Sequence, residues 1–501
     1  MSAFDQLMQG FSIALSFKNL GLCLLGCLWG TMVGVLPGLG PMAGMALLLP
    51  ITFNLDPTGG VIMLAGIFYG AMYGGSTTSI LLKIPGEAAS IVTCIDGYQM
   101  AQKGRAGAAL SIAALGSFVG GTLSVLGLML FAPYLADVML SVGPSAEAVM
   151  MLVALLIVTA VSSSSPLKTF IMICLGLLVG TIGLDAITAA PRYMFKTLEL
   201  AEGMSFVALA IGLFGLSELL LAICEGKTER PKVPRLRDLI PSKQETRESV
   251  GPALRGSAIG FVFGVIPGVS HIISTFVSYA VEKQISKKPE TFGHGAVAGL
   301  AGPETANNAT TGSSLIPLLV LGIPAIPSTA ILLSALQNHG VDPGPLLMTN
   351  NPEVFWGLIA SMYIGNLVLV GLNLPLVSVF VRLLQTPMVY LMPLVTLICF
   401  VGVYSVKGSG FDIMILMVAG LFGYLLRKFG FDVAPALLAL VLGDRMEAGF
   451  RRALTISNGD YGIFFQGPAV KVFWGLLILT VAARMAKALW PTRALNTRAP
   501  E

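Results

Sequence analysis

Residues 299–328 read GLAGPETANNATTGSSLIPLLVLGIPAIPS, inside a chain that is apolar almost everywhere else. Glu304, Asn307, Asn308, Thr310, Thr311, Ser313 and Ser314 crowd into one stretch where a plain run of Leu, Val, Ile and Ala would be expected. Amides and hydroxyls both donate and accept hydrogen bonds, so such a cluster can hold a polar solute without fixed charge. Pro303, Gly312, Pro317, Gly322, Pro324 and Pro327 are expected to interrupt any regular helix here. Within a bilayer, irregular backbone persists only where protein or a wet cavity satisfies its N–H and C=O groups. A broken helix that holds a solute near the midplane is the usual form of a transporter's binding site. The plainer alternative is a Pro-kinked helix packed through small polar residues. The density of amides and hydroxyls favours the site, because intramembrane polar groups are costly.

The rest of the composition says what surrounds this stretch. Of 501 residues, 55% are hydrophobic and only 11% charged, whereas soluble domains carry about 25% charged residues. The chain therefore reads as an integral membrane protein with many spans. Its 58 Gly and 29 Pro suit close helix packing and broken helices. A net charge of +4 says nothing of nucleic acid. The six cysteines and three histidines lack metal-ligand spacing, and only Cys23 and Cys27 are close. Ser-His-Asp order, H-E-x-x-H and P-loop motifs are absent, so the sequence gives no sign of an enzyme or of ATP coupling. Met1–Gln9 has no basic n-region, which argues against a cleavable signal.

Along the chain, Phe4–Phe17 is mildly amphipathic. Leu20–Pro50 is apolar but interrupted by GVLPGLGP (34–41), and Val61–Asp96 carries a second polar interruption, YGGSTTSILLKIPGE (73–87). Ordinary spans are expected near 108–133, 145–161, 166–186 and 203–223. The long hydrophilic stretch 225–249, with seven Lys or Arg, reads as a cytoplasmic linker between two halves. The second half opens with Gly251–Ala280, interrupted by GVIPGVSH (264–271), and continues through the 299–328 stretch. Spans are then expected near 355–382, 388–405, 411–427, 431–443 and 468–489, before a basic, cytoplasmic tail.

The halves resemble each other. Gly34-Val-Leu-Pro-Gly38 matches Gly264-Val-Ile-Pro-Gly268 at an offset of 230. Ala65-Gly66 matches Ala301-Gly302 at 236, Gly75-Ser76 matches Gly312-Ser313 at 237, and Leu82-Lys83-Ile84-Pro85 matches Leu321-Gly322-Ile323-Pro324 at 239. Four matches in order point to a duplication. Charge adds an orientation. Loop 52–60 has no Lys or Arg, while its counterpart 281–293 has Lys283, Lys287 and Lys288. After the second interruption the bias reverses, with Lys103 and Arg105 in the first half and none in 333–346. Equivalent loops thus prefer opposite sides, as an inverted repeat requires. Between the basic loops 225–249 and 281–293 lie only residues 250–280, and two full spans need roughly 40. A re-entrant hairpin with its tip at Pro267-Gly268 fits, and by inversion another with its tip at Pro37-Gly38.

The expected architecture is an all-α polytopic membrane protein of about 10–12 transmembrane helices plus two re-entrant hairpins, in two inverted-topology repeats. The first repeat is 1–224, with hairpin 20–50, broken helix 61–96 and scaffold spans 108–223. The linker is 225–249. The second repeat is 250–501, with hairpin 250–280, broken helix 295–333 and scaffold spans 355–489.

Together GVLPGLGP (34–41), YGGSTTSILLKIPGE (73–87), DGYQMAQKGRAG (96–107), GVIPG (264–268) and AGPETANNATTGSSLIPLLVLGIPA (301–325) resemble the TctA family, the large membrane subunit of tripartite tricarboxylate transporters. The likeness covers essentially the whole chain. It implies a bacterial inner-membrane secondary transporter, similar to elevator-type ion transporters, that needs no cofactor. It also implies a small four-span membrane subunit (TctB-like) and a periplasmic solute-binding protein (TctC-like) as partners. The binding protein would deliver a citrate-like carboxylate, with cations, Na⁺ first among them, driving uptake.

A carboxylate substrate needs donors. Backbone N–H groups at half-helix N-termini attract carboxylates. Ser76, Thr77, Thr78, Asn307, Asn308, Thr310, Thr311 and Ser313 are the candidate side-chain ligands. Lys83 either binds a substrate carboxylate or pairs with Glu87 four residues on. Freed carbonyls at the hairpin tips Pro37, Gly38, Gly40, Pro267 and Gly268 are candidate Na⁺ ligands. Glu304 is a cation or proton site, or, the preferred reading, caps the following helix or pairs with a Lys. Lys103 and Arg105 read as topology determinants rather than ligands. Moving one charge through 100 mV is worth about 2.3 kcal/mol. A trianion entering a negative-inside cell would face roughly 7 kcal/mol per 100 mV, which co-transported cations must offset. A passive anion channel or exchanger is the alternative, since broken helices also line such pathways.

Overall fold

A computed structural model describes residues 3–36, 40–140, 142–161, 165–185, 188–225, 236–266, 271–383 and 388–489. The first half comprises α1 (Ala3–Ala14), α2 (Phe17–Val35), α3 (Gly40–Thr52), α4 (Pro57–Leu82), α5 (Thr93–Met100), α6 (Ala106–Leu140), α7 (Pro144–Val161) and α8 (Pro166–Gly180). A two-residue ribbon of β1 (Gly183–Leu184) and β2 (Pro191–Arg192) leads to α9 (Phe206–Ala210) and α10 (Ser217–Glu225). The second half comprises α11 (Lys243–Val265), α12 (His271–Ile285), α13 (Val297–Ser313), α14 (Pro327–Asn338) and the short α15 (Leu347–Asn350). It continues with α16 (Pro352–Asn373), α17 (Val377–Leu383), α18 (Met388–Lys407), α19 (Gly410–Lys428), α20 (Ala434–Ile456) and α21 (Pro468–Leu489).

Among the described residues, four helical stretches are long and apolar enough to cross a membrane: Phe17–Val35, Thr93–Leu140, Pro352–Asn373 and Gly410–Lys428. Shorter apolar helices accompany them. Leu397, Val401, Val418, Leu421, Ile478 and Leu479 on α18, α19 and α21 are exposed. An apolar exterior of this kind is the surface that lipid solvates.

Two helices have no exterior. Every residue of α4 from Thr58 to Ile80 is buried, and so is every residue of α13 from Gly299 to Ser313. A helix buried on all sides must satisfy its polar side chains against other helices or its own backbone.

Each of these central helices is gripped by a helical hairpin. In the first, α2 doubles back into α3, and Trp29 Nε1 donates across it to the Gly44 carbonyl at 3.1 Å. In the second, α11 doubles back into α12. Arg255 donates there to both oxygens of Glu282, Nε at 2.8 Å and Nη2 at 2.7 Å. With 13 and 15 residues, α3 and α12 rise only about 20 Å each, short of the roughly 30 Å hydrocarbon core.

The hairpins dock through glycine. A Cβ on Gly26, Gly30 or Gly34 would collide with the backbone at Met63, Ile67 and Ala71 of α4. One on Gly256, Gly260 or Gly264 would collide with the backbone at Gly302, Ala306 and Thr310 of α13. Glycine every fourth residue presents one bare face on which two backbones touch. The offset between hairpins is 230 at all three positions, and between central helices it is 239. The packing register thus differs from the 236 and 237 of the Ala65-Gly66 and Gly75-Ser76 matches.

The same register runs through the helix breaks. Lys83 (φ 59, ψ 22) and Gly322 (φ 69, ψ 19) cap their helices in the left-handed conformation. Glu87 (φ −145, ψ 166) and Ile326 (φ −144, ψ 162) are the extended N-caps that restart the chain. Ser90 and Thr329 then return their hydroxyls to those caps. The breaks fall at 83–87 and 322–326, not across the longer stretches expected. YGGSTTS lies in the continuous helix α4, Pro303 lies inside α13, and Pro317 opens a single π-helical turn.

Other boundaries also differ from expectation. α11 begins inside the expected linker, at Lys243, because Ser242 and Glu245 form a capping box. The expected span 355–382 divides into α16 and α17, and α20 runs on to Ile456.

Loops gather by charge. Asp96 Oδ1 accepts the backbone N–H groups of Gly293, Gly295 and Ala296 at 2.9, 2.7 and 2.8 Å. Lys103 donates to the His294 carbonyl at 2.6 Å, and Arg105 pairs with Glu245. The basic loops of both halves therefore meet. The loops without Lys or Arg meet as well, where His339 packs edge-on against Phe53 with centroids 6.3 Å apart.

Candidate functional site

Where α4 and α13 cross, the polar residues of the two halves interlock. Glu304, 1% exposed, accepts a hydrogen bond from Ser76 Oγ at 2.6 Å and another from Thr93 Oγ1. Asn307, one turn further along α13, donates through Nδ2 to Glu87 Oε1 at 2.6 Å. Asn308 donates to Ser117 Oγ on α6 at 2.7 Å. The Oδ1 atoms of Asn307 and Asn308 are buried with no hydrogen-bond partner.

The other predicted hydroxyls hold helices together. Thr78 donates to the Val35 carbonyl at 2.6 Å, at the end of α2. Thr310 donates to the Gly260 carbonyl at 3.0 Å and lies 2.8 Å from Ser274 Oγ, touching both arms of the second hairpin. Ser313 donates to the Ala309 carbonyl at 2.8 Å. Thr311 donates to the Asn307 carbonyl at 2.9 Å and lies 3.1 Å from His271 Nε2, the first residue of α12. Thr77 is buried. Pro37, Gly38, Pro267 and Gly268 lie outside the described residues, while Gly40 opens α3 with φ +58.

Two readings of charged residues are corrected. Lys83 makes no ion pair with Glu87, because the helix ends between them. It is exposed, with Nζ 5.7 Å from the centre of the Tyr98 ring. Glu304 neither caps a helix nor pairs with a Lys. It sits in the middle of α13, held by hydroxyls. Lys83 occupies the backbone conformation that Gly322 fills in the other half. A left-handed residue with a Cβ costs about 1–2 kcal/mol, so Lys83→Gly is expected to raise stability by about 1 kcal/mol in thermal unfolding. If Lys83 also binds substrate, the same variant will raise the KM for uptake.

Beside this buried cluster lies a cavity of about 570 Å³. Its walls come from the first residues of α3 and α12 (Gly40 and His271), from the two helix breaks (Glu87 and Ile326), and from scaffold helices that contribute Phe214, Glu218 and Arg427. Arg427 pairs with Glu218, its guanidinium lies 5.5 Å from the Phe214 ring centre, and its Nε is buried without a partner. The sequence reading missed Arg427. Its position in the last turn of an apolar helix looks like an ordinary end-of-span cation. Among the described residues, no group of three or more His, Cys, Asp or Glu side chains could hold a metal ion.

The arrangement can accept an anion. The turn restarting at Ala88 and the N-terminus of α14 both border the cavity, and helix N-termini attract negative charge. Arg427 adds a planar cation suited to a carboxylate, although it is paired with Glu218 and the carboxyls of Glu87 and Asp432 line the same cavity.

The family model described as Tripartite tricarboxylate transporter TctA family matches residues 20–438. One relative from Agrobacterium vitis, described as "Uncharacterized 52.8 kDa protein in TAR-I ttuC' 3'region", is 47% identical over 468 residues, 93% of each chain. A second from the same organism, "Uncharacterized protein in TAR-II ttuC' 3'region", is 46% identical over 222 residues, which is 44% of this chain and 92% of its own. No solved structure matches the chain.

Proposed function

The chain belongs to the tripartite tricarboxylate transporter TctA family, and from that premise we propose that it is the solute-translocating subunit that takes up tricarboxylates or related carboxylates by Na⁺ symport. The observation that carries this reading is the 570 Å³ cavity, where both hairpins, both helix breaks and one arginine converge. A citrate-like anion binds there, its carboxylates facing Arg427 and the two helix N-termini. The chain works in the bacterial inner membrane beside a small four-span subunit, and a periplasmic binding protein supplies the substrate. The two halves are inverted repeats. The meeting of basic loop with basic loop, and of uncharged loop with uncharged loop, supports this. Each hairpin is re-entrant, in keeping with the shortness of α3 and α12.

The test is uptake of labelled citrate into proteoliposomes holding both membrane subunits, with binding protein outside, with and without an inward Na⁺ gradient. Saturable uptake that needs the gradient and the binding protein is expected. Flux that neither saturates nor depends on the gradient would promote a passive anion pathway instead. Hydrogen bonds to a charged partner are worth about 1.5–3 kcal/mol, so Arg427→Gln should raise the KM about tenfold or more.

A further inference from the structure

Glu304 and Asn307 lie one turn apart on α13, and Asn307 holds Glu87, so the hydroxyl-held and the amide-held carboxylates are neighbours. Among the described residues, neither forms an ion pair with a Lys or Arg. The nearest lysine on the same segment, Lys83, faces the Tyr98 ring instead. Uncompensated carboxylates at membrane depth are expensive, so two of them side by side are neutralised either by protons or by a bound cation. The buried, unpartnered Oδ1 of Asn307 is a second and independent sign of a missing ligand, because its own Nδ2 already binds Glu87. Buried polar atoms without partners are uncommon in folded proteins.

We propose that Glu304, Glu87 and Asn307, with the hydroxyls of Ser76 and Thr93, form the binding site for the coupling Na⁺. Resting on the transporter reading, this assigns that cation to the crossing of α4 and α13. Every group named offers oxygen, the ligand that hard cations take. Ser76, Glu87 and Thr93 come from the first half and Glu304 and Asn307 from the second, so an occupied site ties the two central helices together. Glu87 also borders the 570 Å³ cavity, whereas Glu304 is buried behind it. A cation in the site cancels negative charge at the cavity wall, which would otherwise repel an anionic substrate. Cation and substrate therefore favour each other's binding, and by linkage the effect is reciprocal.

The test needs no substrate. Binding of radioactive Na⁺ to the purified full-length chain in detergent is measured against a choline background at constant ionic strength. Saturable binding to the wild type is expected, with at least tenfold weaker binding in Glu304→Gln and Glu87→Gln. Glu290→Gln, an exposed loop variant, should match the wild type. If Glu304→Gln does not elute as a folded protein, Ser76→Ala and Thr93→Val carry the test with a severalfold loss of affinity. A wild type that binds no Na⁺, or carboxamide variants that bind it like the wild type, overturns the assignment. Neither outcome touches the uptake measurement on which the transporter reading stands or falls.

Discussion

Asn307→Ala, reconstituted with both partners, is expected to take up labelled citrate at about a tenth of the wild-type rate or less. The side chain does two things. Its Nδ2 donates to Glu87 at 2.6 Å, and its Oδ1 has no protein partner. Truncation removes the amide that stabilises a carboxylate on the cavity wall, a hydrogen bond to charge worth about 1.5–3 kcal/mol. Tenfold in an equilibrium constant is about 1.4 kcal/mol, so this single contact suffices for the effect. The fold should survive, because the packing of α13 on α11 and α6 runs through other residues. A thermal unfolding midpoint within a few degrees of the wild type, together with collapsed uptake, is the expected pair of results. Uptake within twofold of the wild type would show that the crossing of α4 and α13 is only a packing interface.

The second prediction contrasts two glycines of the same helix. Gly30→Ala should destabilise the protein by about 1–3 kcal/mol, the usual range for forcing extra atoms into a packed core. Its Cβ would lie 2.8 Å from the Ile67 carbonyl carbon and 2.8 Å from Ile67 Cα, and backbone cannot turn aside as a side chain can. Gly21→Ala, nine residues earlier on α2, meets nothing within 4 Å. There the helix propensity of Ala should add about 0.5–1 kcal/mol instead. Thermal midpoints of the two purified variants decide the matter. Equal behaviour would mean that the first hairpin does not depend on backbone contact with α4. The same logic at Gly260, against Ala306, predicts a matching loss in the second hairpin.

Several features were legible because each has a local signature. Apolar runs opening on proline marked the starts of α8 at Pro166 and α21 at Pro468. The Pro-Gly interruptions at 37–38 and 267–268 lie in the sequence between α2 and α3 and between α11 and α12. The lysines of 281–293 and the Lys103–Arg105 pair anticipated which loops gather at one end, since charge bias is written in residue counts.

The positions of the helix breaks were less legible. Pro303 looks like a breaker, yet α13 continues through it, as a helix packed among other helices can. Lys83 gave no sign of its left-handed conformation, because only its match to Gly322 reveals what the backbone does there. The register of the duplication was blurred for a similar reason. Small residues recur so often in both central helices that matches at 236 and 237 look as good as the 239 fixed by packing. The three-glycine faces at 26, 30, 34 and 256, 260, 264 were present in the sequence and could have set the register, through their spacing of four.

By itself the sequence determined the class of protein, the recurrence of its Gly-Pro motifs in two halves and the set of polar residues within its apolar stretches. Those properties come from composition and period, which any stretch of chain carries on its own. What each polar residue does was decided by tertiary structure. Thr78, Thr310 and Ser313 differ little in type from Ser76 and Thr93, yet the first three bind backbone carbonyls while the last two hold Glu304. The difference is the neighbour each one meets. Neighbours more than 200 residues apart are brought together only when α4 packs beside α13, so no local pattern could have told a helix-packing hydroxyl from one that holds a buried carboxylate.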